Sequence, residues 1–284
     1  MTIAVTGATG QLGALVVHDL VRTVDPASVV AVVRDPAKAA GLAGQGVQVR
    51  SATYADPAAL AAAFAGVDDL LFISSSEVGQ RIDQHRAVVD AAVAAGVGRI
   101  VYTSAPRATT SHLVLAPEHK FTEEYLAAAG LPTTILRNTW YTENYLGQIE
   151  IARTTGTLVA AAGAGRVASA SRADFAAAAV AVLTQDGHAG RVYELGGDHA
   201  WDHDELAAAL AEIVGAPVRY RAVDGPTLIG ILQQSGMDEG TAGFVARLDG
   251  DIAAGALGEV TGELSALIGR PTTPLLEGLR AAAG

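Results

Sequence analysis

The sequence predicts an α/β protein in which a Rossmann-type, doubly wound parallel sheet is followed by a smaller C-terminal α/β lobe. Over the first two-thirds of the chain, short runs rich in β-branched residues alternate with longer, alanine-rich amphipathic stretches. This alternation is typical of βαβ units that form a parallel sheet. A glycine-rich turn directly follows the first of these runs, and 284 residues are enough for one large α/β domain with an added lobe.

The individual elements follow from periodicity and from capping signals. Strands are expected at residues 3–6, 29–33, 47–50, 70–74, 100–103 and 133–136. Asp56 followed by Pro57 starts one helix between them, since this pair is a typical N-cap and first helical residue. Another helix is expected over residues 80–95, where Ile82, Val89 and Val93 form an apolar stripe on which His85 also lies.

Beyond residue 137 the alternation loosens. A helix is expected over 172–183 and strands over 191–195 and 218–221, while Asp202 and Glu205 form a capping box. We therefore expect an NAD(P)-binding Rossmann domain at residues 1–155, to which residues 172–195 return. Residues 156–284 are expected to form mainly a C-terminal substrate lobe that is not an independent domain, with the substrate between the two parts.

Composition excludes several classes of protein. The net charge of −11 argues against a nucleic-acid partner. The sequence has no cysteine, which excludes disulfides and thiolate metal ligands. The longest uncharged apolar run, residues 175–183, is too short to span a membrane, and the first residues do not resemble a signal peptide. We expect a cytoplasmic protein without a metal site.

The glycine-rich turn predicts a dinucleotide site. Gly7 permits a tight turn, Gly10 lets the backbone approach a pyrophosphate, and Gly13 lets the helix pack closely on the strand. The helix N-terminus adds N–H donors and a partial positive charge. The residues expected to contact the cofactor here are Gly7, Ala8, Thr9, Gly10, Gln11, Leu12 and Gly13.

The residues after the second strand select the cofactor. NAD enzymes usually carry an acidic residue there, whereas NADP enzymes carry an arginine for the 2′-phosphate. This chain has Arg34, followed four residues later by Lys38, and both can bind phosphate oxygens. Asp35 is expected to point away or to cap the helix before Pro36. The sequence therefore favours NADPH over NADH, without flavin or metal.

Several longer segments resemble one family. Residues 73–81, 136–145, 168–174, 193–195 and 269–273 are similar to segments of the bacterial NADPH:quinone oxidoreductases, an NmrA-like branch of the atypical short-chain dehydrogenases to which triphenylmethane dye reductases also belong. The resemblance covers essentially the whole chain. It implies pyrophosphate contacts from Gly7 to Leu12, a 2′-phosphate contact at Arg34, and a nicotinamide border formed by residues 138–143, including Asn138, Trp140 and Tyr141.

The same resemblance places Ser74, Ser75 and Ser76 beside the two riboses of the cofactor. The chain departs from the family at Thr53, where an acidic residue usually precedes the aromatic residue that is Tyr54 here. The adenine contact expected at that position is therefore in doubt, although the phosphate contacts are not.

The acid–base machinery of ketone-reducing relatives is incomplete in this chain. Ser104 matches the family's serine and Lys120 its lysine, but Ala116 stands where the tyrosine should be. A positioned acid matters most for ketones, whose reduction creates a strongly basic alkoxide. A site without it suits a quinone or another electrophilic aromatic acceptor.

Other side chains are candidates for helping such a reduction. His119, Lys120 and Tyr141 are the candidate catalytic groups, and Trp140, Tyr141 and Asn144 are the candidate contacts to the acceptor. The alternatives are that His119 and Lys120 are solvated helix residues and that Trp140 is a packing residue. His199 and His203 are four residues apart, but Asp202 reads as a helix cap between them, which argues against a metal site.

We expect an NADPH-dependent enzyme that transfers hydride to a quinone-like small molecule, and its apolar helix faces are consistent with a homodimer. A dye or azo reductase with the same cofactor is one alternative. A second is an NmrA-like regulator that senses NADP(H) without turning it over, since the missing tyrosine suits that function too.

Overall fold

The computed structural model describes residues 1–284 and contains a seven-stranded parallel sheet. Strand order is β3-β2-β1-β4-β5-β6-β8, which is the doubly wound arrangement predicted from the sequence. A second sheet pairs β7 with β9 in parallel. The strands are β1 (Ile3–Thr6), β2 (Val29–Val33), β3 (Gln48–Ser51), β4 (Asp69–Phe72), β5 (Arg99–Ser104), β6 (Thr133–Asn138), β7 (Thr157–Ala160), β8 (Val192–Leu195) and β9 (Arg219–Ala222).

The helices that connect the strands begin and end close to the residues expected. Asp56 caps the helix before Pro57, and Asp202 and Glu205 form a complete capping box. The α-helices are α1 (Gln11–Thr23), α2 (Ala40–Ala43), α3 (Pro57–Phe64), α4 (Arg81–Ala95), α5 (Ala116–Ala128), α6 (Gly147–Thr155), α7 (Arg172–Thr184), α8 (His203–Val214), α9 (Gly225–Gln234), α10 (Glu239–Ala253), α11 (Glu263–Ile268) and α12 (Leu275–Ala283).

The topology fixes where a ligand of the main sheet can bind. β1 lies between β2 and β4, so the chain reverses its direction of winding between β1 and β4. In open parallel sheets, ligands bind outside the carboxyl ends of the strands at this switch point. The turn after β1 and the loop after β4 therefore flank the crevice expected to hold a dinucleotide.

Helices cover both faces of this sheet. α1 packs against α7, while α3, α4 and α5 share a hydrophobic core with the strands. Alternate strand residues, such as Ala4, Leu70 and Phe72, belong to that core, as the period of a β-strand requires. Burying a side chain such as Phe72 stabilises the fold by roughly 1.5–3 kcal/mol.

Three details of the sequence prediction need correction. The strand expected to reach Ser74 ends at Phe72, and β7 was not anticipated. The apolar stripe expected on α4 is wrong at two positions, because Ile82 and Val93 are 38% and 44% exposed. The inner face of α4 carries His85 instead, which is buried as expected, together with Arg81. Both make polar contacts to the loop after β4, which explains why a hydrophobicity pattern did not reveal this face.

The chain divides into two compact units. The first comprises Met1–Thr109, Leu115–Asn138 and Arg172–Glu194, and therefore nearly all of the main sheet. The second comprises Thr110–Val114, Thr139–Ser171 and Leu195–Gly284, and it contains β7 and β9. The boundary expected at residue 155 stays a prediction. Among the helices, none combines the length and the apolar character needed to cross a membrane.

Candidate active site

The turn after β1 has the geometry of a phosphate-binding loop. Gly7 has a φ of +59° and Gly10 donates its N–H to the Gly7 carbonyl oxygen at 2.8 Å. A Cβ on Gly13 would lie 2.2 Å from that same carbonyl oxygen, so only glycine permits this close approach of helix to turn. α1 begins without a side-chain cap and without an acidic residue in its first turn. Its first N–H groups are therefore suited to bind an anion such as a pyrophosphate.

Two cationic side chains, Arg34 and Lys38, follow β2. Arg34 is largely exposed, and its guanidinium lies 3.6 Å from a carboxylate oxygen of Glu77. Lys38 lines a pocket of about 290 Å³ together with Thr9 of the glycine-rich turn. Asp35 accepts the N–H of Ala37 at 3.0 Å and so caps the short 3₁₀ helix that begins at Pro36. Its carboxylate is thereby turned to the backbone, which fits the reading that Arg34 faces the cofactor.

Tyr54 links the two strands at the switch point through hydrogen bonds, a role that the sequence analysis did not predict. Its phenol oxygen lies 2.6 Å from both the Thr6 hydroxyl and the Ile73 carbonyl oxygen. Thr6 ends β1 and Ile73 follows β4, so Tyr54 joins the ends of the two strands that flank the crevice. Burial raises the pKa of Tyr54, which keeps the phenol neutral.

The inner face of α5 carries three buried polar side chains, His119, Thr122 and Glu123. Their spacing of three and four residues places them on one side of the helix. The His119 Nδ1 lies 2.8 Å from the hydroxyl of Tyr102 on β5. Burial, reinforced by the positive charge of Arg81, lowers the pKa of His119 to about 3. His119 is therefore neutral at physiological pH and can act as a hydrogen-bond partner but not as a cationic acid.

Lys120, unlike its neighbour His119, is exposed to solvent. Its side chain is 49% exposed, and the ammonium lies 3.9 Å from Glu124, one helical turn away. The catalytic roles suggested for Lys120 and His119 stay predictions. The spacing of Thr122 and Glu123, three and four residues after His119, was the sequence signal that could have identified this polar face of α5.

A buried ionic network joins the carboxyl ends of three strands. The Ser104 hydroxyl donates to Glu123 at 2.6 Å. Arg137 on β6 donates to both carboxylate oxygens of Glu123, at 2.9 and 2.6 Å, and to Glu194 on β8 at 2.7 Å. Glu194 also accepts the N–H of Arg107, the one non-glycine residue with a positive φ, at 3.0 Å. Since the Ser104 proton is directed to Glu123, this hydroxyl presents lone pairs to any ligand.

The loop after β6 belongs to the second unit. The carbonyl oxygen of Trp140 accepts the N–H of Ala170 at 3.1 Å, and Tyr141 forms a parallel bridge with Ala170. The Trp140 side chain hydrogen-bonds to the phenol of Tyr145, whose ring packs edge-on against Trp201 at 5.0 Å. Trp140 and Tyr141 are half-buried and Asn144 is exposed. The contacts of Trp140, Tyr141 and Asn144 to the cofactor or the acceptor stay predictions.

The two histidines near the start of α8 have separate environments. His199 lies 2.7 Å from Glu205, whereas His203 is buried between the rings of Trp201 and Tyr220. The structure brings no three His, Asp or Glu side chains together in an arrangement that could hold a metal ion.

The chain is similar to characterised reductases along its whole length. Quinone oxidoreductase 2 of Escherichia coli K12 is 50% identical over 275 residues, which cover 97% of this chain and 96% of that protein. The solved structure of an Escherichia coli NADPH-dependent quinone oxidoreductase with NADPH matches with a TM-score of 0.96 and 49% identity over all of both chains. The Citrobacter triphenylmethane reductase with NADP(H) matches with a TM-score of 0.94 and 38% identity, over 99% of this chain and 100% of that one.

These likenesses agree with a family assignment. The model of the NmrA-like family matches residues 1–243, which is most of the chain and includes both the glycine-rich turn and the loop after β6. The resemblance expected from the sequence is confirmed, and this protein belongs to the NmrA-like family.

Proposed function

We propose that this protein is an NADPH-dependent oxidoreductase that reduces a quinone or a similarly electrophilic aromatic acceptor. The observation that carries the proposal is the 50% identity to a quinone oxidoreductase over nearly the full length of both chains. The geometry supports it, since the uncapped α1 terminus and the cations after β2 flank the switch point of the sheet. When bound, NADPH supplies the hydride.

The residues of the first unit fit this cofactor. Gly7 to Gly13 would hold the pyrophosphate, because the turn leaves the first N–H groups of α1 uncapped. Arg34, with Lys38 and Thr9 in the neighbouring pocket, would bind the 2′-phosphate. Ser74 to Ser76, and Asn138 at the end of β6, would border the riboses and the nicotinamide, as the family resemblance implies.

The acceptor needs little help from the protein. Ala116 stands where a ketoreductase has tyrosine, the Ser104 proton is directed to Glu123, and His119 is neutral. These groups supply no strong acid, whereas the anion of a reduced quinone is weakly basic and can take its proton from water. We propose that Tyr141 and Asn144 contact the acceptor and that His119 is at most a hydrogen-bond partner. Lys120 is left out, since it is exposed and faces Glu124.

The organisation of the chain is part of the proposal. We propose that the first unit binds the cofactor and that the loop after β6 in the second unit supplies acceptor contacts. We place the enzyme in the cytoplasm, as a homodimer that uses the exposed apolar side chains of α4, Ile82 and Val93. Light scattering of the purified protein tests the homodimer.

A dye reductase is the second candidate, favoured by the 38% identity to the triphenylmethane reductase over almost the whole chain. Initial rates of NADPH oxidation with a naphthoquinone, a triphenylmethane cation and an azo dye distinguish the two. We expect the highest kcat/KM with the quinone, and a loss of the preference for NADPH over NADH in Arg34→Ala. A dye preferred over every quinone would replace the proposal by the second candidate.

A further inference from the structure

Two buried side chains of α4 hold the peptide groups of one residue in the loop after β4. The N–H of Ser75 donates to the Nε2 of His85 at 3.0 Å. The Nε of Arg81 donates to the carbonyl oxygen of Ser75 at 2.6 Å. His85 is fully buried and Arg81 is 7% exposed. Burying two ionisable side chains costs free energy unless their polar atoms form hydrogen bonds. Because both side chains hydrogen-bond to the backbone of Ser75, we infer that the orientation of this residue matters.

The bonding fixes the protonation state of His85. A peptide N–H can only donate, so Nε2 must be without a proton. Burial, with the charge of Arg81, lowers the pKa of His85 to about 3 and keeps the ring neutral. The proton is therefore on Nδ1, which donates to the Thr122 hydroxyl at 2.8 Å. Thr122 in turn donates to the Glu118 carbonyl oxygen at 2.8 Å.

Glu118 of α5 holds Arg81 in place. Its guanidinium lies 3.5 Å from the Glu118 carboxylate. Glu118 also accepts the N–H groups of Gly79 and Arg81, at 2.9 and 3.3 Å. α5 thus supports both α4 side chains that hold Ser75, and the end of the loop as well.

The loop held in this way is the one at the switch point. It follows β4, the neighbour of β1, and its preceding residue Ser74 is tied to β5, since its N–H donates to the Thr103 hydroxyl at 2.9 Å. We infer that His85 and Arg81 are positioning residues for the cofactor: they hold the Ser75 peptide group in the orientation in which the loop after β4 binds NADPH at the switch point. This inference rests on the proposed function, from which it takes the identity of the cofactor.

Two substitutions of His85 separate positioning from packing. In His85→Gln the side-chain oxygen can take the place of Nε2 and accept from Ser75, whereas in His85→Asn the shorter amide can replace only Nδ1 and its bond to Thr122. The measurement is the Kd of NADPH, from the quenching of tryptophan fluorescence without any acceptor. Loss of a buried acceptor should weaken binding about tenfold in His85→Asn, and His85→Gln should stay within about threefold of wild type.

The apoprotein's thermal unfolding midpoint is measured for both variants. Equal weakening of NADPH binding in the two variants, or wild-type binding by His85→Asn, would overturn the inference. If neither variant folds, Arg81→Lys takes their place, with Arg86→Lys as its control on the exposed side of the same helix. Arg81→Lys loses the Nε donor and should weaken NADPH binding about fivefold, and an unchanged Kd would contradict the inference.

Failure of the proposed function would look different. Wild-type protein that binds NADPH but reduces no acceptor would refute the proposed reaction and leave the comparison of Kd values intact. Wild-type protein that does not bind NADPH would refute the proposed function before any variant is compared.

Discussion

Arg34 and Glu77 face each other where the 2′-phosphate of the cofactor is proposed to bind. The carboxylate of Glu77 is 3.6 Å from the guanidinium of Arg34, so it competes with the phosphate for the same cation. Glu77→Gln should raise the ratio of kcat/KM for NADPH to that for NADH about two- to fivefold, because an exposed ion pair is worth ~0–1 kcal/mol.

Steady-state rates with both cofactors at low and high salt test this prediction. The gain should shrink in high salt, which screens exposed charges. Glu124→Gln, which removes an exposed carboxylate near Lys120, is the matched control and should leave the ratio unchanged. A ratio that falls in Glu77→Gln would show that Glu77 supports the cofactor and does not compete with it.

Glu123 is the centre of the ionic network at the ends of β5 and β6. Its carboxylate accepts from Ser104 and Arg137 while being only 8% exposed. Glu123→Gln removes one of the two carboxylates that pair with the largely buried guanidinium of Arg137, while Glu194 remains, so we expect the free energy of unfolding to fall by about 2 kcal/mol, the usual worth of a hydrogen bond to a charged group. Urea denaturation measures this change. Glu150→Gln breaks the exposed pair with Arg153 and should cost less than ~0.5 kcal/mol; equal losses would refute the importance of burial.

At the scale of elements, α1 can begin where it does only because Gly13 is glycine. A methyl group at this position would collide with the Gly7 carbonyl oxygen, so Gly13→Ala must push α1 away from the turn. We expect lower stability and weaker NADPH binding. Gly250→Ala is the control, because Gly250 lies exposed inside α10 with open space around its missing side chain. It should stabilise the protein by ~0.5–1 kcal/mol, the usual helix preference for alanine.

Elements determined by local sequence patterns could be predicted, whereas those determined by contacts to distant residues could not. β1, β2 and the capping box at Asp202 follow local patterns, and the structure confirms them. The inner face of α4 could not be read from hydrophobicity, because His85 and Arg81 are buried for their bonds to a loop. β7 is equally invisible to local reasoning, since this short strand is paired only with β9, about sixty residues later.

The candidate site was predictable to a similar degree. The glycine-rich turn, Arg34 and Lys38 could be proposed as phosphate-binding groups because phosphate binding depends on local backbone and charge, and their contacts to a cofactor stay predictions. The network of Ser104, Glu123, Arg137 and Glu194 joins α5 to the ends of three strands, so only the folded chain brings it together. The hydrogen bond between Trp140 and the Tyr145 hydroxyl is likewise visible only in the folded chain.

For the whole molecule, two of the three buried histidines, His85 and His119, predict a specific loss of stability in acid. The pKa values of His85 and His119 are lowered to about 3 in the folded state, against about 6.5 when unfolded. The unfolded chain therefore binds more protons between these values. The stability they contribute is complete above pH 6.5 and is lost as the pH falls toward 3, by up to ~1.4 kcal/mol per pH unit for each histidine.

Urea midpoints between pH 7.5 and about 4 test this response. In His119→Gln the urea midpoint should fall less steeply with decreasing pH than in the wild type. Substituting the exposed His112 should leave this pH dependence unchanged. If His119→Gln leaves the pH dependence of the midpoint as it is in the wild type, His119 is not a buried neutral base in solution.

The central claim is that this chain catalyses hydride transfer from NADPH to a quinone. Its most direct test follows NADPH absorbance after a naphthoquinone is added to the purified protein, using NADPH and NADPH deuterated at the transferred position. We predict catalytic oxidation that is slower with the deuterated cofactor, and much weaker oxidation of NADH. Tight NADPH binding without oxidation by quinones would contradict the claim, and the absence of oxidation by cationic dyes as well would identify the protein as a sensor of NADP(H).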